Sequence, residues 1–321
     1  MPILIDIAWL LGGLIALYFG AEWLVGGASK ISLKFGISPL AVGLTVVAFG
    51  TSAPELFVSV NFNGSGQGDM SVGNVVGSNI CNIGLVLGVS AFICLLHVKK
   101  ALLFRDTPLL LISTLGFIAL IWDGKITTIE GAILFAIVLA YTIYRLVSSR
   151  NGGDSDEAAE FADEIGEAGG SVLVMAGMIL AGLVLLYVGS IGLEKGGVSL
   201  AKTLGVPGAL ISLTVIAFST SVPELATSVV ASLKKEGDII IGNVIGSCLF
   251  NLLCVIGITA LIKPIEVTEL SKINLYVMLG FTAILLPIMA LGRRVDRWSG
   301  LVLLLGYLGY CAYLWTTTPA S

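Results

Sequence analysis

Residues 276–291, and again 300–315, run without a single charged side chain. Other long apolar stretches cover 109–122 with its flanks, 129–144 and 172–188. An α-helix needs roughly 20 such residues to cross the hydrocarbon core of a bilayer. Lipid offers the backbone no hydrogen-bond partner, so only helices and closed β-barrels cross it. The residue-by-residue alternation of a barrel strand is missing here. These runs therefore predict an all-α membrane protein. Composition agrees: 56% of the 321 residues are hydrophobic and 12% charged, with mean hydropathy +1.01, where soluble domains carry about 25% charged residues.

Read by hydropathy, the chain has ten spans, at about 3–24, 38–63, 70–96, 104–122, 126–148, 170–190, 207–232, 238–262, 272–291 and 298–316. The N-terminal run lacks a preceding positive region and reads as a first membrane helix, not a cleaved signal. Lys and Arg favour cytoplasmic loops. Twelve of the 17 fall in loops on one side (30, 34, 99, 100, 105, 145, 150, 234, 235, 293, 294 and 297) and five on the other (125, 195, 202, 263 and 272). The bias predicts a multi-pass protein of the cell membrane with both termini outside and the central loop cytoplasmic. That loop, 151–170, holds seven acids and no base, and accounts for the net charge of −4, since the remainder has 17 basic against 14 acidic residues. It reads as a solvated linker and lacks the spacing of an EF-hand. Glu22, Glu130, Glu194, Asp106 and Asp123 lie near predicted helix ends and are expected to be interfacial or solvated. The five cysteines form no C-x-x-C pair and read as reduced core residues, and the lone His97 at a helix end receives no role.

The chain repeats itself. Shifted by 169 positions, "PLAVGLTVVAFGTSAPELFVSV" at 39–60 falls on "GALISLTVIAFSTSVPELATSV" at 208–229, and "SVGNVVGSNICNIGLVLG" at 71–88 falls on "IIGNVIGSCLFNLLCVIG" at 240–257. One offset without a gap marks a duplication: a first five-helix repeat over 1–150, the linker over 151–170, and a second repeat over 171–321. Five is odd, so the second repeat enters the membrane from the opposite face. Inverted repeats are the plan of secondary transporters, whose ion sites lie at the midplane on interrupted helices.

The repeated motif carries the chemistry. Pro54 and Pro223 donate no N–H, so the carbonyls of Gly50 and Ser219 lose helical partners, which predicts a broken helix in each half. An unpaired polar group costs several kcal/mol in hydrocarbon, and a cation can satisfy it. Thr51, Glu55 and Ser59 share one helix face at i, i+4, i+8, with Ser52 beside them. Thr220, Ser221, Glu224 and Ser228 repeat the pattern. The next helix of each half adds Asn74, Ser78 and Asn82, matched by Asn243, Ser247 and Asn251. Two carboxylates among neutral oxygens suit Ca²⁺, which takes six to eight oxygen ligands, and serve Na⁺ equally. Nitrogen and sulfur ligands that a transition metal prefers are missing from this cluster of residues. One Ca²⁺, or two Na⁺ or H⁺, neutralises the pair, and such mutual exclusion is the minimum that exchange requires. A carboxylate at the centre of a membrane helix is a functional residue by default.

At "GTSAPE" followed by "GNVVGSNICNIG" the sequence resembles the cation/calcium antiporter superfamily, most closely its sodium/calcium exchanger branch of prokaryotic type. The resemblance spans the whole chain. It implies that Glu55 and Glu224 ligate Ca²⁺ together with Thr51 and Thr220. It further implies that Ser52, Ser78, Asn82, Ser221, Ser247 and Asn251 complete flanking Na⁺ sites, and that the main-chain carbonyls of Ala48 and Ala217 are ligands. Two departures stand out: Ser219 replaces a glycine of the family pattern, and Asn251 stands where several relatives carry aspartate. The resulting reading is an antiporter exchanging Ca²⁺ for Na⁺ by alternating access, with Ca²⁺/H⁺ exchange as the alternative. It is not an enzyme: an intramembrane metalloenzyme would want H-E-x-x-H, and one histidine cannot supply it. No cofactor is expected, and the partners are lipid and the transported ions, not nucleic acid.

Overall fold

The computed structural model describes residues 2–150, 171–203, 217–268 and 272–317. The acidic linker and the first part of the span expected at 207–232 lie outside them. The chain forms α1 (Pro2–Phe35), α2 (Pro39–Thr51), α3 (Ala53–Gly64), α4 (Gly68–Ile93), α5 (Leu102–Asp123), α6 (Thr128–Ser148), α7 (Val172–Thr203), α8 (Ala217–Leu233), α9 (Gly237–Ile262), α10 (Lys272–Ala290) and α11 (Arg297–Thr317). Among the described residues, eight of these are long and apolar enough to cross a membrane, or nine when the bent pair α2 and α3 counts as one span.

Burial sorts the helices into centre and periphery. The most apolar window of α9 is 100% buried and that of α4 is 72% buried, whereas that of α11 is only 11% buried. Outer helices present Leu173, Ile129, Phe104 and Trp298 outward, each at least 73% exposed. Such a surface is stable only against lipid, so the chain is a membrane protein with a polar-lined centre and an apolar rim.

The duplication is visible in three dimensions. Shifted by 169, α4 falls end to end on α9 and α6 on α11. Four two-residue strands obey the same shift: β1 (Leu96–His97) maps onto β3 (Ile265–Glu266), and β2 (Lys125–Ile126) onto β4 (Arg294–Val295). They pair between halves and not within them. Leu96 faces Val295 and His97 faces Arg294 in one ribbon, while Ile126 faces Ile265 and Lys125 faces Glu266 in the other. Interchanging the halves turns one ribbon into the other.

Two helices outrun their expected bounds. α1 has 34 residues and α7 has 32, about 50 Å each at 1.5 Å per residue, well beyond the ~30 Å core. The sequence reading ended them at about 24 and 190, ahead of Lys30, Glu194 and Lys195, charges that helix ends reaching the interface tolerate. They lie along each other at backbone contact: a Cβ on Gly20 would sit 2.9 Å from the Gly182 carbonyl oxygen, and one on Gly182 would sit 2.7 Å from Leu24 N. Lys195 lies 5.0 Å from the Trp9 ring across the same seam. Packing of this kind, through small residues, is how membrane helices associate where lipid removes the hydrophobic drive.

Among the described residues, the expected helix break appears in the first half and not at Pro223. α2 and α3 meet at 43° across Ser52, and Pro54 occupies the first turn of α3, where a missing N–H costs least. In the second half α8 continues through Pro223 without interruption. A physical reason is the departure noted above: Gly50, which weakens a helix by up to about 1 kcal/mol against alanine, has Ser219 as its counterpart.

Asp106 corrects another expectation. It is fully buried, not solvated, and lies 3.4 Å from Arg105 Nε and 3.7 Å from the equally buried Arg145 Nε, and it accepts the Tyr141 hydroxyl at 3.1 Å. Glu22 pairs with Lys234 at 2.8 Å, and Glu130 closes the capping box of α6 with Thr127. All five cysteines are free thiols, Cys81, Cys248 and Cys254 among the buried residues.

Candidate cation-binding site

Glu55, in the first turn of α3, and Glu224, next after Pro223 in α8, are both 0% exposed. Burying a carboxylate costs several kcal/mol unless it is compensated. Among the described residues no Lys, Arg or His forms an ion pair with either. Hydroxyls meet them instead. Ser78 Oγ donates to Glu55 Oε1 at 3.4 Å, and Ser52 Oγ donates to Glu224 Oε1 at 3.2 Å. The second oxygen of each carboxylate, Oε2, has no hydrogen-bond partner. The Ser52 bond crosses between halves, and the two carboxylates lie within reach of each other's charge, so they belong to one site.

The remaining expected ligands gather around this pair. Thr51 Oγ1 donates to Asn243 Oδ1 at 3.2 Å and lies 3.4 Å from Ser247 Oγ, another crossing between halves. Ser221 faces the Glu55 carboxylate without closing a hydrogen bond. Thr220 is buried beside Ser221 in α8. The Ala48 carbonyl accepts the Ser52 N–H at 3.0 Å and lies 3.4 Å from the Thr51 hydroxyl, an alternative acceptor for its single proton. Ala217 is the first described residue of α8. Asn74 and Asn243 stitch the motif helices together, donating to Ser59 Oγ at 3.1 Å and to Ser228 Oγ at 3.3 Å.

Asn82 and Asn251 open π-helical turns, Asn82–Leu87 and Asn251–Val255. Such turns inside α-helices are frequent at functional sites because they break the regular carbonyl ladder. Both asparagines are fully buried. Neither amide atom of Asn82 has a hydrogen-bond partner, and Asn251 keeps its Oδ1 unpartnered.

Two residues of this region escaped the sequence reading. Thr227, one turn beyond Glu224, is 0% exposed with its hydroxyl unpartnered; its counterpart Val58 gave no signal because the repeat was read for shared residues. Asn79 lies one position off the stripe of Asn74, Ser78 and Asn82. Sulfur also borders the cluster, contrary to expectation: Cys81 and Cys248 lie in the field of Glu224. The Cys248 thiol is committed elsewhere, donating to the Asn79 carbonyl at 3.9 Å.

A cleft of about 120 Å³ lies between α3, α7 and α8. Its lining includes Pro54, Ser219 and Thr220 together with Asn61, Tyr187 and Glu194. Chemically, the centre offers two carboxylates and a shell of hydroxyl and amide oxygens. Among the described residues no three His, Cys, Asp or Glu side chains cluster as a transition-metal site would need. Buried oxygens left without donors suit a hard cation, whose charge compensates both carboxylates at once.

The family model described as sodium/calcium exchanger protein matches residues 5–147 and 174–316, once in each half at the same 169-residue offset. The chain is similar to CaxA of Alkalimonas amylolytica, 36% identical over 312 residues that cover 96% of this chain and 98% of that protein. It is also similar to the sodium/calcium exchanger MaX1 of Methanosarcina acetivorans, 29% identical over 340 residues, covering 95% and 97%. Among solved structures it superposes on the sodium-calcium exchanger NCX_Mj soaked with 10 mM Na⁺ and 10 mM Sr²⁺, with TM-score 0.82 and 29% identity, covering 97% of this chain and 98% of that one.

Proposed function

The chain belongs to the sodium/calcium exchanger protein family, and from that premise we propose that it is a secondary antiporter exchanging Ca²⁺ for Na⁺ across the cell membrane by alternating access. One observation carries the reading: two buried carboxylates, one from each half, share a shell of neutral oxygens and no cationic partner. One Ca²⁺ neutralises that pair, and monovalent ions neutralise it in turn, so the loads compete for the same oxygens. The twelve residues assigned above as ligands, from Ala48 and Thr51 to Ser247 and Asn251, are the transport site in this reading, with Glu55 and Glu224 bridging the divalent ion.

The full architecture is two inverted repeats of five spans each. α2 and α3 count as one span, and the apolar run read from the sequence at 207–232, of which the structure describes the part in α8, counts as another. The reciprocal pairing of the ribbons supports the inversion, because a twofold relation lying in the membrane plane interchanges the halves in this way. The basic loops place both termini outside and the linker in the cytoplasm. α1 and α7, joined along their glycines and holding none of the ligands, form the pair that slides across the fixed centre. The cleft beside Glu194 is one access route to the site.

The test is ⁴⁵Ca²⁺ uptake into proteoliposomes. Uptake that requires internal Na⁺ and is lost in Glu55→Gln supports the reading. Uptake that follows an imposed pH gradient and ignores Na⁺ moves the protein to Ca²⁺/H⁺ exchange, and cross-linking α1 to the centre without loss of exchange refutes the sliding pair.

A further inference from the structure

We propose that Asn79 is a positioning residue that makes the cation site one-sided, by locking the Asn251 amide with its oxygen toward the ions while the equivalent Asn82 stays unlocked. The proposal rests on the exchange reading above and concerns how that site tells its two ends apart.

Asn79 and Cys248 are equivalent positions of the two repeats, and they touch. Asn79 Nδ2 donates to the Cys248 carbonyl at 3.3 Å, and the Cys248 thiol donates to the Asn79 carbonyl at 3.9 Å. Equivalent residues meet reciprocally only where the axis relating the halves passes between them. At that axis the repeat is broken, an amide facing a thiol.

The hydrogen bonds admit only one orientation. A backbone carbonyl can only accept, so the Asn79 atom against Cys248 must be its nitrogen. That nitrogen also lies 3.9 Å from Met278 Sδ, a second acceptor. Asn79 Oδ1 is then the remaining atom and can only accept. Asn251 meets it at 3.1 Å and must present its own nitrogen. Asn251 Oδ1 is therefore turned away from Asn79, unpartnered, on the helix face it shares with Asn243 and Ser247, which meet Thr51. In the first half the same relay fails. Asn82 would need Cys248 as its acceptor, but that residue's thiol is engaged with Asn79, and both Asn82 amide atoms remain unbonded. Asn79, Asn82, Cys248 and Asn251 are each at most 1% exposed, so bulk solvent does not reach the missing bond.

The physical consequence is an amide oxygen fixed in place at the Asn251 end and one that must be turned at the Asn82 end. A ligand held by an outer partner binds more tightly, and removing such partners typically costs about 10- to 100-fold in ion affinity. The Asn251 end is then the tighter monovalent-ion position.

The test uses the whole purified chain in detergent and reads the melting temperature against Na⁺ and, separately, Ca²⁺. Asn79→Leu raises the Na⁺ concentration for half-maximal stabilisation about tenfold, and Asn79→Ala does the same should leucine not fold. In an Asn251→Asp background either carboxylate oxygen serves whichever way the group turns, so the same Asn79 change shifts the midpoint less than about twofold, a coupling read as a double-mutant cycle. An unchanged midpoint in folded Asn79 variants overturns the proposal, as does an equal shift in both backgrounds, which marks a merely structural role. A wild-type chain whose melting answers to no cation overturns the exchange reading itself, and this proposal with it.

Discussion

α4 and α9 are the same 26-residue span built twice, and the differences between their surroundings are more instructive than the sameness. The first half bends at Ser52, contributes Asn79 at the axis, and braces its periphery with the buried Asp106, Arg145 and Tyr141 cluster. The second half runs straight through Pro223, carries Cys248 at the axis and the extra hydroxyl of Thr227, and has Leu275 and Leu314 where the first half has Asp106 and Arg145. What the halves share is the pair of glutamates and the hydroxyls that meet them. Both copies keep the carboxylates, while packing and bracing have been solved twice and differently.

The comparison is broken most forcefully at Asp106. Asp106→Asn leaves Arg145 buried beside a neutral partner and lowers stability by about 3 kcal/mol, read as a fall in the denaturant or thermal midpoint. Giving the first half the second half's residues, by combining Arg105→Asn, Asp106→Leu and Arg145→Leu, removes the charges together and keeps stability within about 1 kcal/mol of wild type. A triple variant as damaged as Asp106→Asn shows that the charges do more than brace.

Thr227→Val gives α8 the counterpart Val58. Removing a buried hydroxyl that has no partner raises the stability of the ion-free protein by about 1 kcal/mol. A lower melting temperature in the absence of Ca²⁺ and Na⁺ identifies a bond for that hydroxyl.

The smallest effect is expected at Glu236, outside the membrane spans. It opens α9 where Gln67 opens α4, and Ser29 of α1 donates to it. Burial pushes its carboxyl above the ordinary range, against the hydrogen bond from Ser29 and the charge of Lys234. A raised folded value means that the fold favours the proton, so this contribution is complete below the ordinary carboxylate range and is lost as pH rises through the raised value. Melting curves of wild type and Glu236→Gln therefore differ in slope across that window, the wild type losing stability with rising pH and the variant remaining flatter. Parallel curves contradict the assignment.

Much of this was legible before any coordinates. The 169-residue offset exposes the duplication, and a Pro-Glu pair in an apolar run marks Glu55 and Glu224, because lipid makes a carboxylate there too costly to be incidental. The same offset concealed the asymmetries. Reading for identity passes over Asn79 against Cys248 and Val58 against Thr227, where mismatch is the signal. Asp106 sits at a helix end in sequence, and its partners Tyr141 and Arg145 come from the following helix, so only packing shows that it is buried. The paired strands are two residues long, too short for any period, and the extra length of α1 and α7 shows in no hydropathy pattern once charges reappear near their ends.

The central claim is that one divalent site is built jointly by both halves. Equilibrium ⁴⁵Ca²⁺ binding to the purified chain, without Na⁺, tests it directly in wild type, Glu55→Gln and Glu224→Gln. The account predicts one Ca²⁺ per chain, with saturable binding lost in either variant alone while the protein stays folded. Two Ca²⁺ per chain, or one retained in each variant, would mean that the halves bind separately and would contradict the shared site.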